Sequence, residues 1–260
     1  TVIFSEPVTG FTNVDLVWGG TAAPSTAVVT TGSGTTYNVA VSGMAADGTV
    51  TLTVPAGGAQ DATGNGNAAS TSTDNSVLYD TTRPTVTINQ AAAQLDPTNA
   101  SPINFTVVFS EPVTGFTDTD ITLTGTAGPT TAVVTGSGAT YNVAVSGMTG
   151  NGTVTAFVLV NAGQDAANNS SFASTSADNT VTYDIGAPTV TIEQSASQAD
   201  PTGVSPIDFT VVFSESMNSA SFTGADITLS GTANPTTAVV TGSGTTFTVS
   251  VSGMTGSGTV

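Results

Sequence analysis

The chain has no cysteine and no histidine, and Arg83 is the single basic residue among 260. Each absence removes a class of chemistry. Without Cys or His there is no disulfide, no zinc site of the usual ligand set, and no Ser-His or Cys-His catalysis. Without Lys there is no phosphate-loop lysine, no Schiff base and no Lys–Asn isopeptide cross-link. Against one cation stand 18 acidic residues, giving a net charge of −17. Nucleic-acid binding needs clustered Lys and Arg to neutralise phosphates, so no nucleic-acid partner is expected. Anionic membrane surfaces are disfavoured for the same reason. No apolar run approaches spanning length, so no membrane insertion is expected in this segment. No targeting segment is visible at Thr1.

Charged residues are scarce, yet 38% of the chain is hydrophobic, and that fraction is patterned. The remaining surface is built from Thr, Ser, Asn and Gly. Thr suits a pleated sheet because its branched side chain packs well there. An uncharged, hydroxyl-rich, acidic and Cys-free surface leads to the expectation of an extracellular, cell-surface, bacterial protein.

What the chain does have is repetition. Phe4-Ser5-Glu6-Pro7-Val8-Thr9-Gly10-Phe11-Thr12 returns unchanged from Phe109 to Thr117, and in altered form from Phe213. Thr31-Gly32-Ser33-Gly34 returns at Thr135 and at Thr241. A period of roughly a hundred residues is longer than a solenoid or propeller unit and matches a small domain. Three copies are expected: 1–80 lacking its first strand, 84–184 complete, and 188–260 lacking its last strands. On this reading the sequence is a window from a longer array.

The middle copy alternates with period two. Ile103, Phe105, Val107 and Phe109 share one face; Tyr141, Val143 and Val145 share another. Val86 and Ile88, Ile121 and Leu123, Val154, Ala156 and Val158, and Val181 and Tyr183 follow the same rule. Strands are expected over 84–90, 102–110, 119–125, 130–135, 139–146, 152–160 and 178–184. Gly136-Ser137-Gly138 should turn a hairpin between the fourth and fifth. No segment carries a capped helical stripe. The fold class is therefore all-β, tandem immunoglobulin-like β-sandwich domains in a linear array, without the disulfide. The aromatics Phe105, Phe109, Tyr141 and Trp18 are read as core.

Tyr79 to Val86 corresponds to Tyr183 to Val190, with only three residues between the last strand of one copy and the first of the next. Pro84 and Pro188 fix one backbone angle each. Neighbouring copies are expected to be held in restricted orientation. Placing alternating strands on a sandwich gathers Asp80, Glu111, Asp118, Asp120 and Asp165 at one pole. Glu6, Asp15 and Asp61 match them in the first copy, and Glu215 and Asp226, with Asp184 in the linker, in the third. Asp96 and Asp200 fall at the opposite pole. Carboxylates so gathered repel unless protonated or bridged, and calcium accepts six to eight oxygen ligands in flexible geometry. Calcium (Ca2+) at the junctions is one reading, with Asp80, Glu111, Asp120, Asp165, Asp184, Glu215 and Asp226 as ligands. The other is that these are solvated turn acids bonding their own backbone.

Phe109–Val113, Asp120–Thr126, Gln164–Ala166, Asp178–Asp184 and Pro188–Ile192 together resemble the bacterial Ig-like repeats of very large surface adhesins and biofilm-associated proteins. The resemblance runs the whole length of the chain. It implies a role in extension or stacking outside the cell, with calcium at domain junctions. Carried over by position, it points at Asp80, Asp184, Glu111 and Asp165. Ser216 departs from the pattern, where the other copies have Pro7 and Pro112.

The expected function is structural: a repeat segment of an extracellular fibre, stalk or adhesin shaft, giving reach. Its partners are neighbouring copies of the same repeat, with lateral self-association into fibres or bundles through Thr-rich faces that lack protective Lys. The alternative is a glycan- or ice-binding surface module, carried by Thr85/Thr87, Thr122/Thr124 and Thr189/Thr191. Those are short pairs on twisted strands, and the aromatics that glycans favour face inward. No enzyme activity and no catalytic residues are expected, because turn acids on a repeated sandwich form no cleft.

Overall fold

The computed structural model describes all 260 residues. Strands dominate, with a few 3-10 turns, and no helix is long and apolar enough to cross a membrane. The chain divides into two compact units, Thr1–Asp184 and Ile185–Val260. Each of the three sequence copies has its own apolar cluster.

The first unit opens with β1 (Val2–Val8), β2 (Val17–Gly19), β3 (Thr26–Ser42), β4 (Gly48–Thr53) and β5 (Ser76–Tyr79). Here β1 pairs β3, and β2, β4 and β5 form a second sheet. The complete copy follows as β6 (Val86–Gln90), β7 (Ile103–Val113), β8 (Ile121–Thr124), β9 (Thr131–Ser146), β10 (Gly152–Val158) and β11 (Thr180–Tyr183). Its two antiparallel sheets run β6-β7-β9 and β11-β10-β8.

The side chains that alternation assigned to the interior fill the space between those sheets. Ile88, Ile103, Phe105, Val107, Val143, Val145, Val154, Ala156 and Val181 are fully buried. Burying each large aliphatic chain contributes about 1.5–3 kcal/mol. Phe109, Phe116 and Tyr141 meet edge to face, with centroids 5.0–5.9 Å apart. The same trio recurs as Phe4, Phe11 and Tyr37, and as Phe213, Phe222 and Phe247. The hydroxyl of Tyr141 donates to Val113 O at 3.0 Å, as Tyr37 does to Val8 O. Trp18 is half-buried against its own copy's cluster.

Some boundaries differ from the pattern-based expectation. The strands expected at 130–135 and 139–146 form one unbroken element, β9 (Thr131–Ser146), that folds back on itself. Thr130 N donates to Ser146 O at its open end, and the Gly136 backbone faces Thr140 and Tyr141 at its closed end. The expected hairpin is present, turning at Gly138 with φ +73°. Pairing with β7 reaches Gly138, opposite Val113, so the ladder carries through the turn. The strand expected from 119 begins only at Ile121, because Asp118–Asp120 is a 3-10 turn.

Loops tie the sandwich's edges together. Phe172 N donates to Pro84 O, Thr175 N to Val86 O and Gln90 N to Asp178 O. On the other side Thr98 runs parallel to Tyr183, with Thr98 N donating to Thr182 O and Asp184 N to Thr98 O. Asp96 accepts from Thr182 N there.

In the second unit, β12 (Val190–Gln194), β13 (Ile207–Met217) and β14 (Thr237–Ser252) form one three-stranded sheet. Val190 and Ile192 are 55% and 52% exposed, where their counterparts Val86 and Ile88 are 2% and 0%. No second sheet faces them within this unit. Two inserted residues near Ser216 form an extra 3-10 turn at Ser219–Ser221, capped by Asn218.

Candidate metal site and the linker of the first unit

The linker Thr81-Thr82-Arg83 is short, and the copies on both sides bond to it. From the first copy, Asp47 accepts from Thr81 N at 2.9 Å, from the Thr81 hydroxyl at 2.7 Å and from the Thr82 hydroxyl. The Thr82 hydroxyl, followed by Thr81, holds the Asp47 carboxyl below the usual carboxylate range. Asp80 accepts from Thr82 N at 2.9 Å. From the second copy, Asn169 Nδ2 donates to Asp80 O at 3.1 Å. Arg83 reaches into that copy, donating to Ser170 O at 2.6 Å, Ser171 O at 2.8 Å and Asn161 Oδ1 at 2.9 Å. Its guanidinium lies 4.3 Å above the Phe172 ring. The lone cation is spent on carbonyls and a ring, and the carboxylates beside it are left to one another.

Those carboxylates are Asp80, Glu111 and Asp165, whose oxygens lie within 4.8 Å of one another. Glu111 comes from β7, and Asp165 from the loop after β10. Burial pushes Glu111 up, and the charges of Asp165 and Asp80 add to the rise. Asp165 is 5% exposed. Burial acts most strongly on it and upward, but bonds from Asn169, Ala167 and Asn168 together hold it below the usual range. Its Oδ1 accepts from Ala167 N and Asn169 N, each at 2.8 Å, and its Oδ2 from Asn169 Nδ2 at 2.9 Å.

One oxygen from each of the three could together hold a metal ion. All donors are hard oxygens, and oxygens bound to one calcium at 2.3–2.6 Å are at most about 5.2 Å apart. The crowded Glu111 supplies the unbalanced charge that a cation would offset.

The other expected ligands lie elsewhere. Asp120 caps its own turn, accepting from Thr117 N at 2.8 Å and the Thr117 hydroxyl at 3.0 Å. Asp226 makes the same bonds with Thr223, and Asp15 with Thr12. All three carboxylates bond within their own 3-10 turns. Asp184 accepts from Asn151 Nδ2. Asn151 corresponds by position to Asp47. Glu215 sits on β13 at the position of Glu111, and Val260 corresponds to Val154, so no residue of this chain corresponds to Asp165 in the third copy. Asp61 occupies that place in the first copy, where Asn65 above all, with Thr63, holds it at about 2.

Sequence reasoning missed Asp47, Asn161 and Asn169. Asn169 lies four residues after Asp165 in the same connection and donates back to it. Asp47 carried no signal, because its role depends on a contact 34 residues away. Compared with family models, curated proteins and solved structures, the chain matches none.

Proposed function

We propose that this chain is a structural repeat segment of an extracellular fibre, stalk or adhesin shaft, in which the sandwich is a spacer and the linker a stiffened joint. The observation that carries this reading is the linker at 81–83, bonded by Asp47 from one copy and, through Asp80 and Arg83, by Asn169, Asn161, Ser170 and Ser171 of the next. A joint that only had to connect two domains would not need each of its residues held. Near-identity of the copies supports the same reading, since reach grows by adding like units. Calcium on Asp80, Glu111 and Asp165 adds a second clamp across the same joint, because Asp80 belongs to the linker and the other two to the following sandwich. Thr-rich outer faces supply a surface for lateral association.

Small-angle X-ray scattering of the chain, first in millimolar calcium and then with chelator, tests this. Strands of this length at about 3.3 Å per residue make each copy roughly 30–40 Å long with its loops. An extended particle in both conditions, longer or less variable in calcium, is the expected result. A compact particle in both would sink the shaft reading. An identical extended profile in both would remove calcium and leave the hydrogen-bonded linker as the source of stiffness.

A further inference from the structure

The two sheets of the complete copy have four edges, and the chain treats them unequally. The outer edge of β6 is sealed by the loop after β10: Thr175 N donates to Val86 O, Gln90 N to Asp178 O and Ile88 N to Ser176 Oγ. The outer edge of β11 is sealed by the loop after β6, through Thr98 N to Thr182 O, Asp184 N to Thr98 O and Thr182 N to Asp96. The other two edges are β8 and the first arm of β9, Thr131-Ala132-Val133-Val134-Thr135. No backbone bond from outside β9 reaches that arm. In the first copy a side chain does reach the matching arm, where Asn13 Oδ1 accepts from Val29 N at 2.7 Å. Asp118, at the place of Asn13, makes no bond to the arm of the second copy.

Thr130 N donates to Ser146 O. Alternation then turns the backbone groups of Ala132 and Val134 toward the second arm, and those of Thr131, Val133 and Thr135 outward. The side chains divide in the same way. Ala132 and Val134 pack on the core, while Val133 is 50% exposed. The outward row therefore reads Thr-Val-Thr, the same in either direction. Turned about a two-fold axis through Val133, it meets its own image antiparallel. Val133 then faces Val133 of the other copy, and Thr131 faces Thr135. Each of these residues exchanges both of its backbone groups, and Thr pairs and β-branched pairs across strands are favourable.

Charge decides between this edge and β8, and between a second copy and another partner. At a net charge of −17, two copies repel wherever acids gather. β8 begins directly after Asp118 and Asp120, whereas β9 carries no charged residue from Thr131 to Ser146. A basic partner would find no acid along this arm to recognise. The arm also lacks the Lys, the Pro and the covering loop with which edges are usually blunted.

We propose that the first arm of β9 is a self-pairing edge, which joins two copies of this chain by an antiparallel ladder centred on Val133. The inference rests on the lateral association included in the proposed function, and assigns it to an edge in place of the Thr-rich faces. It does not depend on the stiff linker.

The chain has no cysteine, so Val133→Cys introduces a single thiol. Under mild oxidation this variant should give disulfide-linked dimers, because the two-fold axis sets the position opposite itself at a Cα separation of about 5.5 Å. Val108→Cys, 44% exposed on the neighbouring β7, should not. Sedimentation equilibrium of the unaltered chain should show a mass that rises with concentration, and hydrogen exchange should show protection of 131–135 rising with it. Val239 is 52% exposed at the same place in the third copy. Val133→Lys combined with Val239→Lys should weaken association at least about tenfold, since like charges then lie directly opposite. The lower net charge of that variant would by itself favour association, so the loss reads the edge. Replacing both valines by Thr should leave association as it was. A chain that stays monomeric up to about 1 mM, association indifferent to the Lys pair, or equal cross-linking at 108 and 133 would each overturn the proposal. Cross-linking at 133 in a particle that scattering finds compact would sink the shaft reading and keep the edge. An extended particle without cross-linking would do the reverse.

Discussion

Replacing Arg83 by Ala removes the one cation of the chain and every bond it makes. Hydrogen bonds from a charged donor contribute about 1.5–3 kcal/mol each, and a cation over an aromatic face at a partly exposed site about 0.5–1 kcal/mol. The three bonds of Arg83 share one group and its side chain is only half-buried, so they do not add fully. A net loss of about 2–4 kcal/mol is expected, part of it from leaving the half-buried Ser170 carbonyl without its Arg83 donor; Ser171 O keeps its bond from Asn161 N. For a domain near a hundred residues each kcal/mol lowers Tm by about 4 °C, so the transition of the second copy should fall by roughly 10 °C. Differential scanning calorimetry of the whole chain reads this. Arg83→Lys should recover only part of the loss, because an ammonium cannot reach two carbonyls and an amide as a planar fork does. A drop below about 2 °C for Arg83→Ala would show that these bonds are solvent-equivalent, and would refute the bonded-linker reasoning with them.

Further outcomes follow from the same geometry. Tyr141→Phe should cost about 1–2 kcal/mol by chemical denaturation, because Val113 O loses a buried donor, while Phe247→Tyr tests the third copy, which has Phe at that place. Gly125→Ala would put a methyl group 2.1 Å from Thr153 O at a backbone φ of +122°, and should cost about 3–5 kcal/mol in the same assay. Asp61, held at about 2, contributes stability that is complete above its unfolded pKa and is lost as pH falls through 2; Asn65→Ala should move its NMR titration upward. Glu111 has the opposite sign: its contribution is present below its unfolded pKa and is lost as pH rises through the raised folded one. Asp165→Asn should bring the Glu111 titration part of the way down, since burial remains; no movement would show that Asp165 does not act on it.

The core was legible because period-two alternation needs only local sequence. Ile103, Phe105, Val107 and Phe109 lie where alternation put them, and so do Val154 and Val181. The hairpin at Gly138 was legible from its glycines. Phe116 was not, because it lies in a connection and packs on Phe109 and Tyr141 only once the sheets are assembled. Among the acids, strand direction could bring Asp80, Glu111 and Asp165 to one end. It could not distinguish them from Asp120, which lies equally close in sequence to that end but turns back on Thr117. That difference depends on a 3-10 turn three residues long. The bracing of the linker by Asp47 and Asn169 was invisible for another reason: both are ordinary turn residues until contacts 34 and 89 residues away are formed.

The parallel contact between Thr98 and the last strand of the second copy has a mechanical consequence. The first strand, β6, and the last, β11, belong to different sheets. Tension entering at Pro84 and leaving at Asp184 cannot run along one ladder and must cross the sandwich. It crosses through the bonds of Thr98 to Thr182 and Asp184, and through those of Val86 and Gln90 to the loop at 172–178. Both sets of bonds must therefore part before the first and last strands of this copy can separate.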